Sequence, residues 1–221
     1  TMSDDYKLSK QNKVRQLREK ARYDRDTVHR ILDACLMAHV AFVEDGQAVV
    51  VPMICSRDAE TLYLHGARKA RVIKLLAQTE RVCLNATLLD GLVLARSAFN
   101  SSMHYRSVTV FGKPSLVEGD QAKLDAMRCI SEHLMPGRWD ELREPLAREV
   151  KMTGVIAVSI DSASAKISAG PPNDEPEDYD IPVWAGVLPL TQTLGSIVSD
   201  TRLLPGVQPS PLVLAMQNRK L

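Results

Sequence analysis

The stretch RVCLNATLLDGLVLARSAFNSSMHYRSVTVFGKPSLVEG, residues 81–119, decides what kind of fold this chain adopts. Three runs rich in Val, Leu and Thr (RVCLNATLL, LVLARSAF and YRSVTVFGKPSLVEG) are punctuated at Asp90-Gly91, at Asn100–Ser102 and at Gly112. Apolar and β-branched runs bounded by Gly, Asn, Asp and Ser are the pattern of strands joined by turns. Short strands with turn signals, decorated by a few helices, predict a closed or nearly closed β-barrel rather than a layered βαβ protein.

The flanks extend this reading. Upstream, HVAFVEDGQAVVVPMIC (39–55) reads as two strands joined at Asp45-Gly46, a favoured hairpin dipeptide. TLYLHG (61–66) is a further short strand. It leads into LHGARKARVIKLL (64–76), where Ala70, Ile73, Leu76 and Ala77 recur at helical spacing, so a helix is expected from Gly66 or Ala67. TVHRILDACLMA (27–38) is expected to be a helix capped by Asp26, with Val28, Ile31, Leu32, Cys35 and Leu36 on its apolar face. Residues 1–25 are polar and highly charged and are expected to form a loosely held arm.

Downstream, a helix is expected over 120–135, ended by PGRW (136–139), and a short one over 145–151. TGVIAVSIDSASAKIS (153–168) reads as one long strand bent at Asp161–Ser164. AGPPNDEPEDYDIP (169–182) is acidic and proline-rich, hence an exposed connection. Residues 191–221, with Pro205, Pro209 and Pro211, resist regular structure. The expected organisation is an arm (1–25), one domain (26–190) and a tail (191–221).

Bulk properties exclude several functions. The net charge of +1 across 221 residues leaves no broad positive field, so a nucleic-acid partner is not expected. No apolar run approaches membrane-spanning length and the first residues carry no hydrophobic signal core, which predicts a cytoplasmic protein without a membrane partner. Cys35, Cys55, Cys83 and Cys129 are scattered, without metal or framework spacing, and read as packing thiols. His29, His39, His65, His104 and His133 show no zinc spacing, so no metal site is expected. A G-x-G-x-x-G fingerprint, a P-loop and a G-x-S-x-G elbow are all missing, and no pair of carboxylates stands out for acid–base work.

What remains is an anion site. Arg68 and Lys69, followed by Arg71 and Lys74, stand together without an acid among them. A first helical turn disfavours cations unless an anion neutralises them, and a phosphate held by arginine, lysine and backbone amides would do so. SSMHYRSV (101–108) adds a second polar cluster. Strand alternation puts Tyr105 and Ser107 on one face, His104 and Arg106 on the other. Each residue also has a plainer role: Tyr105 as a core aromatic, Arg106 on an internal carboxylate, Arg71 in solvent, His65 as a satisfied strand-end histidine.

LYLHGARKAR, LDGLVLARSAFNSSMHYRSVTVFGKPSLVE and VWAGVLPL together resemble the FMN-binding split-barrel superfamily, in the pyridoxamine-phosphate-oxidase-like branch that includes nitroimidazole-resistance flavoproteins. The resemblance covers about residues 24–190, and YRSVTVFG is its most specific part. It implies a mainly β protein with flanking helices: a six-stranded antiparallel split β-barrel, assembled as a homodimer with FMN at the subunit interface. It further implies that Arg68 and Lys69 hold the phosphate and that Ser107 contacts the cofactor; Arg71, about one turn beyond Arg68, is a candidate to share the phosphate, and Tyr105 and Arg106 are candidates to line the cofactor. Backbone near Pro52, Met53 and Ile54 would follow the flavin edge. His65 would stand beside the ring as the candidate catalytic residue, with Trp184 near the partner's cofactor.

The Arg-x-His element of true pyridoxamine-phosphate oxidases has no counterpart after Trp184, so oxidation of vitamin B6 is not expected. The resemblance implies an FMN-dependent oxidoreductase, with NAD(P)H as a transient donor and a small organic acceptor. The alternatives are a non-catalytic flavin- or haem-binding module that senses or stores its ligand, and a scaffold that uses the anion site for another phosphate ester.

Overall fold

The computed structural model describes residues 4–221, so the first three residues of the expected arm lie outside it. Its strands are β1 (Ala21–Arg22), β2 (Met37–Glu44), β3 (Gln47–Ile54), β4 (Ser56–Asp58), β5 (Thr61–Ala67), β6 (Val82–Leu94), β7 (Ser102–Gly112), β8 (Pro114–Leu116), β9 (Thr153–Ser159), β10 (Ser162–Ser168) and β11 (Gly186–Pro189). The helices are α1 (Arg25–Ala34), α2 (Arg71–Gln78), α3 (Asp120–Leu134), α4 (Ala147–Met152) and α5 (Pro211–Met216). They divide into two units: residues up to Leu88 with His104–Gly170, and Leu89–Met103 with Pro171–Leu221.

In the larger unit the strands form two antiparallel sheets, ordered β1-β10-β7-β6-β2-β3 and β4-β5-β9-β8. One core lies between them. Val40, Leu84, Val108, Val110, Ala163 and Ala165 enter it from the first sheet, and Leu62, Leu64, Ile156 and Val158 from the second. Val28 and Ile31 of α1 and Ile73 and Leu76 of α2 complete it. Among the described residues no ladder joins the two sheets, so the barrel is split, as the resemblance implied, rather than closed.

The hairpin at Asp45-Gly46 forms with φ of 49° and 76°, the left-handed pair that matches strand twist. Other local readings give way to tertiary pairing. The single strand expected over 153–168 is two strands in different sheets, β9 and β10, with the chain crossing over between Ser159 and Ser162. Helix α1 is capped by Asp24, whose carboxylate accepts from Thr27 N at 2.8 Å, rather than by Asp26. It ends before Cys35 because the chain turns extended there to enter β2.

The arm is not loosely held. Tyr6 is 2% exposed, and its hydroxyl donates to Glu60 Oε2 at 2.7 Å and lies 3.0 Å from His29 Nε2. Arg25 stacks 4.2 Å over the Tyr6 ring and binds the same Glu60 oxygen at 2.7 Å. Buried Asn12 donates to Ala163 O at 3.1 Å. Burial and the Glu60 carboxylate push the Tyr6 phenol well above its ordinary range. Tyr6→Phe removes that donor, and the urea midpoint should fall by the equivalent of about 1–2 kcal/mol.

In the smaller unit, β11 pairs with the end of β6, so that Gly91 faces Pro189 and Leu94 faces Gly186. This explains why Asp90-Gly91 is not the turn its sequence suggests. A side chain at Gly91 would sit 2.9 Å from Leu188 O, so the glycine admits a neighbouring strand inside a continuous β6. Arg96 binds the fully buried Asp174 carboxylate at 3.0 Å and lies 4.9 Å over the Tyr179 ring. The tail is less irregular than expected: Ser210 caps α5, and Leu194 N–H donates to Arg219 O at 2.9 Å. All four cysteines are free thiols, and burial pushes Cys55 up to about 12. No helix among the described residues is long and apolar enough to cross a membrane.

Candidate functional site

Strand alternation makes the larger sheet two-sided. Val40, Met53, Leu84, Ala86, Val108 and Val110 point into the core, so their alternate neighbours must point out. Register then lines up a polar row across five strands. Lys166 of β10 stands opposite Ser107 of β7, and His39 of β2 stands opposite both Asn85 of β6 and Pro52 of β3. The Asn85 amide joins the middle of the row, donating to Ser107 Oγ at 3.0 Å, Val108 O at 3.2 Å and Thr109 Oγ1 at 3.2 Å. Thr87 Oγ1 donates to Asn85 Oδ1 at 2.8 Å and lies 2.8 Å from Ser107 Oγ.

Among the residues expected here, Pro52 and Ser107 share this outer face, and Tyr105 has the same parity as Ser107. Ile54 is on it too. Met53 is only 9% exposed and belongs to the core, so its backbone alone is available. Arg106 has the parity of Val108 and pairs with Ile167, which packs against the core. One ligand on the outer face cannot meet both its side chain and that of Ser107. Asn85, Thr87, His39 and Lys166 were not singled out from the sequence. The signal was present in RVCLNATLL, where Asn85 and Thr87 interrupt an apolar run at alternate positions.

The cationic segment is built differently from expectation. β5 stays paired with β9 as far as Ala67 opposite Thr153, so the chain cannot turn helical at Gly66. Arg68 and Lys69 instead fill a turn closed by Ala70 N–H to Ala67 O at 2.8 Å, and α2 begins at Arg71. Both side chains are exposed, and no carboxylate among the described residues pairs with either. Arg71 is different: Glu44, at the end of β2, takes its guanidinium, with Nε 3.2 Å from Oε1. The turn is tightly seated. Gly154 opposes Gly66, and a side chain there would meet Ile73 at 2.6 Å and the Arg68 Cα at 3.2 Å.

His65 sits three residues before the turn, on the face of β5 opposite Leu64. Its Nδ1 is buried and has no hydrogen-bond partner. Burial lowers its pKa from the ordinary 6.5, so the ring is neutral at neutral pH and offers a lone pair rather than an imidazolium proton. The unfolded chain still titrates near the ordinary value, so it binds more protons than the folded chain just below it. Stability from this group is therefore full above about pH 6.5 and is lost as the pH falls through that value. In cofactor-free protein, His65→Gln should lose less of its urea midpoint than wild type between about pH 7 and about pH 5.

Trp184 belongs to the smaller unit and is 66% exposed. Gly186 makes room for its indole, since a side chain there would meet the ring at 2.8 Å.

Comparison with known proteins now has a geometry to explain. Residues 24–167 match the family model described as pyridoxamine 5′-phosphate oxidase. No curated protein matches the chain. Among solved structures, a flavocytochrome from Azotobacter vinelandii is 38% identical over 95% of this chain and 97% of that one, with a TM-score of 0.89. A FAD- and haem-binding protein from Mycobacterium smegmatis is 34% identical over 90% and 98%, with a TM-score of 0.86. A protein assigned to 5-nitroimidazole antibiotic resistance from Bacteroides thetaiotaomicron shares the fold at 23% identity over 66% and 86%, with a TM-score of 0.58. The matched segment runs from the cap of α1 through β10 and so takes in both sheets of the split barrel: the chain belongs to the pyridoxamine 5′-phosphate oxidase-like family.

Proposed function

We propose that this protein is a flavin-dependent oxidoreductase. One observation carries the reading: Arg68 and Lys69 are adjacent, exposed and, among the described residues, without an acidic partner, in a turn fixed by β5–β9 pairing, while neighbouring Arg71 is already neutralised by Glu44. Such a pair fits a phosphate dianion. The polar row from Pro52 through His39, Asn85 and Ser107 to Lys166 supplies hydrogen-bonding groups suited to the rim of a flavin. When bound, the flavin supplies the hydride and electron chemistry. The chain's own part is to hold the phosphate, to present Asn85 and Ser107 in a fixed network, and to keep a neutral His65 out of water as a proton acceptor.

FMN is the form the family resemblance favours, and the Mycobacterium relative's name brings FAD into the test. A homodimer with the cofactor at its interface is supported by the apolar residues left bare on the outer sheet face: Met37 at 47% exposed, Val50 at 59% and Ile54 at 36%. NAD(P)H is proposed as donor and a small organic molecule as acceptor.

Haem is a second reading, favoured by His65. Among the described residues it is the histidine with a buried, unpartnered ring nitrogen, the chemistry an iron ligand needs, and the two most similar structures described above are named for cytochrome or haem content. The test is an absorption spectrum of the purified protein before and after reconstitution, with released cofactor resolved by chromatography. Flavin bands that persist through desalting, with NAD(P)H-dependent bleaching, are the expected result. Protein that retains no flavin under any loading would overturn the reading, and a Soret band lost in His65→Ala would establish the haem.

A further inference from the structure

A cavity of about 350 Å3 opens between α3, the turn at Trp139–Glu141 and α4, and none of the candidate cofactor residues assigned above lines it. Leu124, Met127, Trp139, Leu142 and Val150 make its lining largely apolar. Lys123 breaks the pattern. It is only 8% exposed, and its ammonium, which carries three donors, gives one bond to Val150 O at 3.3 Å. No carboxylate among the described residues pairs with it. The one carboxylate among the described residues of the lining, Glu149, is held by Arg143 at 2.5 and 2.9 Å and accepts from Leu146 N at 2.9 Å. That clamp holds the Glu149 carboxyl down to about 2, so it stays ionised and committed to Arg143.

A buried ammonium without a counter-ion is costly, and structures that retain one ordinarily pair it. An apolar wall with one buried cation is complementary to a molecule with an apolar body and a single carboxylate. We infer that this cavity is a binding site for an apolar carboxylate, with the acid on Lys123 and the body against Trp139 and Met127. Trp139 offers a flat apolar face and Met127 an adaptable one. The ligand chemistry is shared by an aliphatic acid and by the propionate edge of a porphyrin, and the two differ in the shape of the body that must fit.

The chain contains two tryptophans, so Trp184→Phe leaves Trp139 as the sole indole and as a reporter inside the cavity. Dodecanoate, iron-free protoporphyrin and dodecanol are titrated into full-length Trp184→Phe protein and into the same protein carrying Lys123→Met, with circular dichroism to verify folding. Saturable change of Trp139 emission by at least one carboxylate, binding at least about tenfold tighter than dodecanol, is expected, with that preference abolished by Lys123→Met. Response to dodecanoate alone identifies an aliphatic acid, and to protoporphyrin alone a porphyrin propionate. Equal binding of acid and alcohol, a preference that survives in folded Lys123→Met, or no response of Trp139 would overturn the assignment. The readout needs no flavin and no turnover, so it fails or succeeds independently of the oxidoreductase reading.

Discussion

Arg68→Ala combined with Lys69→Ala raises the dissociation constant for FMN by about 100-fold or more, while binding of riboflavin, which lacks the phosphate, stays within about threefold of wild type. The size follows from chemistry. Each hydrogen bond to a charged group is worth about 1.5–3 kcal/mol, so losing two costs about 3–6 kcal/mol, and each 1.4 kcal/mol is tenfold. The stability of the fold should not change, since both side chains are exposed and lie outside the core. Arg71→Ala is the matched control: it frees Glu44 but removes a cation already neutralised, so FMN affinity should move by less than about threefold. Equal losses for FMN and riboflavin would place the flavin elsewhere, because the deletion would then be acting through the fold and not through a phosphate.

That prediction rests on a segment only half legible in the sequence. The unpaired cations were visible as composition, and their chemistry pointed to a phosphate without knowledge of the fold. Their placement was not visible. Helical spacing of Ala70, Ile73 and Leu76 extends backward without a stop signal, and only the pairing of Ala67 with Thr153, 86 positions further along, keeps Arg68 and Lys69 out of the helix. The same limit explains β6. Asp90-Gly91 is a good local turn, but local propensity yields when a distant strand supplies backbone partners on one side and the glycine lets it approach. The arm shows the converse. Its charged composition reads as unstructured, while Tyr6 and Asn12, two buried residues in a polar stretch, find hydrogen-bond partners at Glu60 and Ala163. What sequence carries well is alternation and short-range turn chemistry: the Asp45-Gly46 hairpin and the opposite facing of Ser107 and Arg106 were readable because they depend on adjacent residues.

Gly112→Ala should be the most damaging single methyl in the molecule. Gly112 ends β7, where the chain leaves the first sheet for β8 in the second, and Ser159 ends β9, where the chain makes the reverse crossing into β10. The two crossings touch. A Cβ on Gly112 would stand 1.9 Å from Ser159 O and 2.8 Å from the Val158 side chain, distances no rotamer change can relieve because the first obstacle is backbone. Its backbone φ is not in the left-handed region, so the requirement is space and not conformational freedom. Relief would have to pull apart Ser159 N–H to Lys113 O, at 3.2 Å, and Asp161 N–H to Phe111 O, at 3.1 Å, which are the bonds that hold the two crossings together. Overpacking of this kind costs about 3 kcal/mol, and for a chain of this size each kcal/mol shifts the thermal midpoint by about 2–4 °C, so a drop of about 6–12 °C is expected. Gly46→Ala is the comparison. In the Asp45-Gly46 turn the added Cβ meets nothing within 4 Å but the backbone φ is +76°, in the left-handed region, so the penalty is conformational and near 1 kcal/mol, read as a shift about a third as large. If Gly112→Ala proved no worse than Gly46→Ala in differential scanning calorimetry, the two crossings would have to be free to separate, and the split barrel would be held by its core alone.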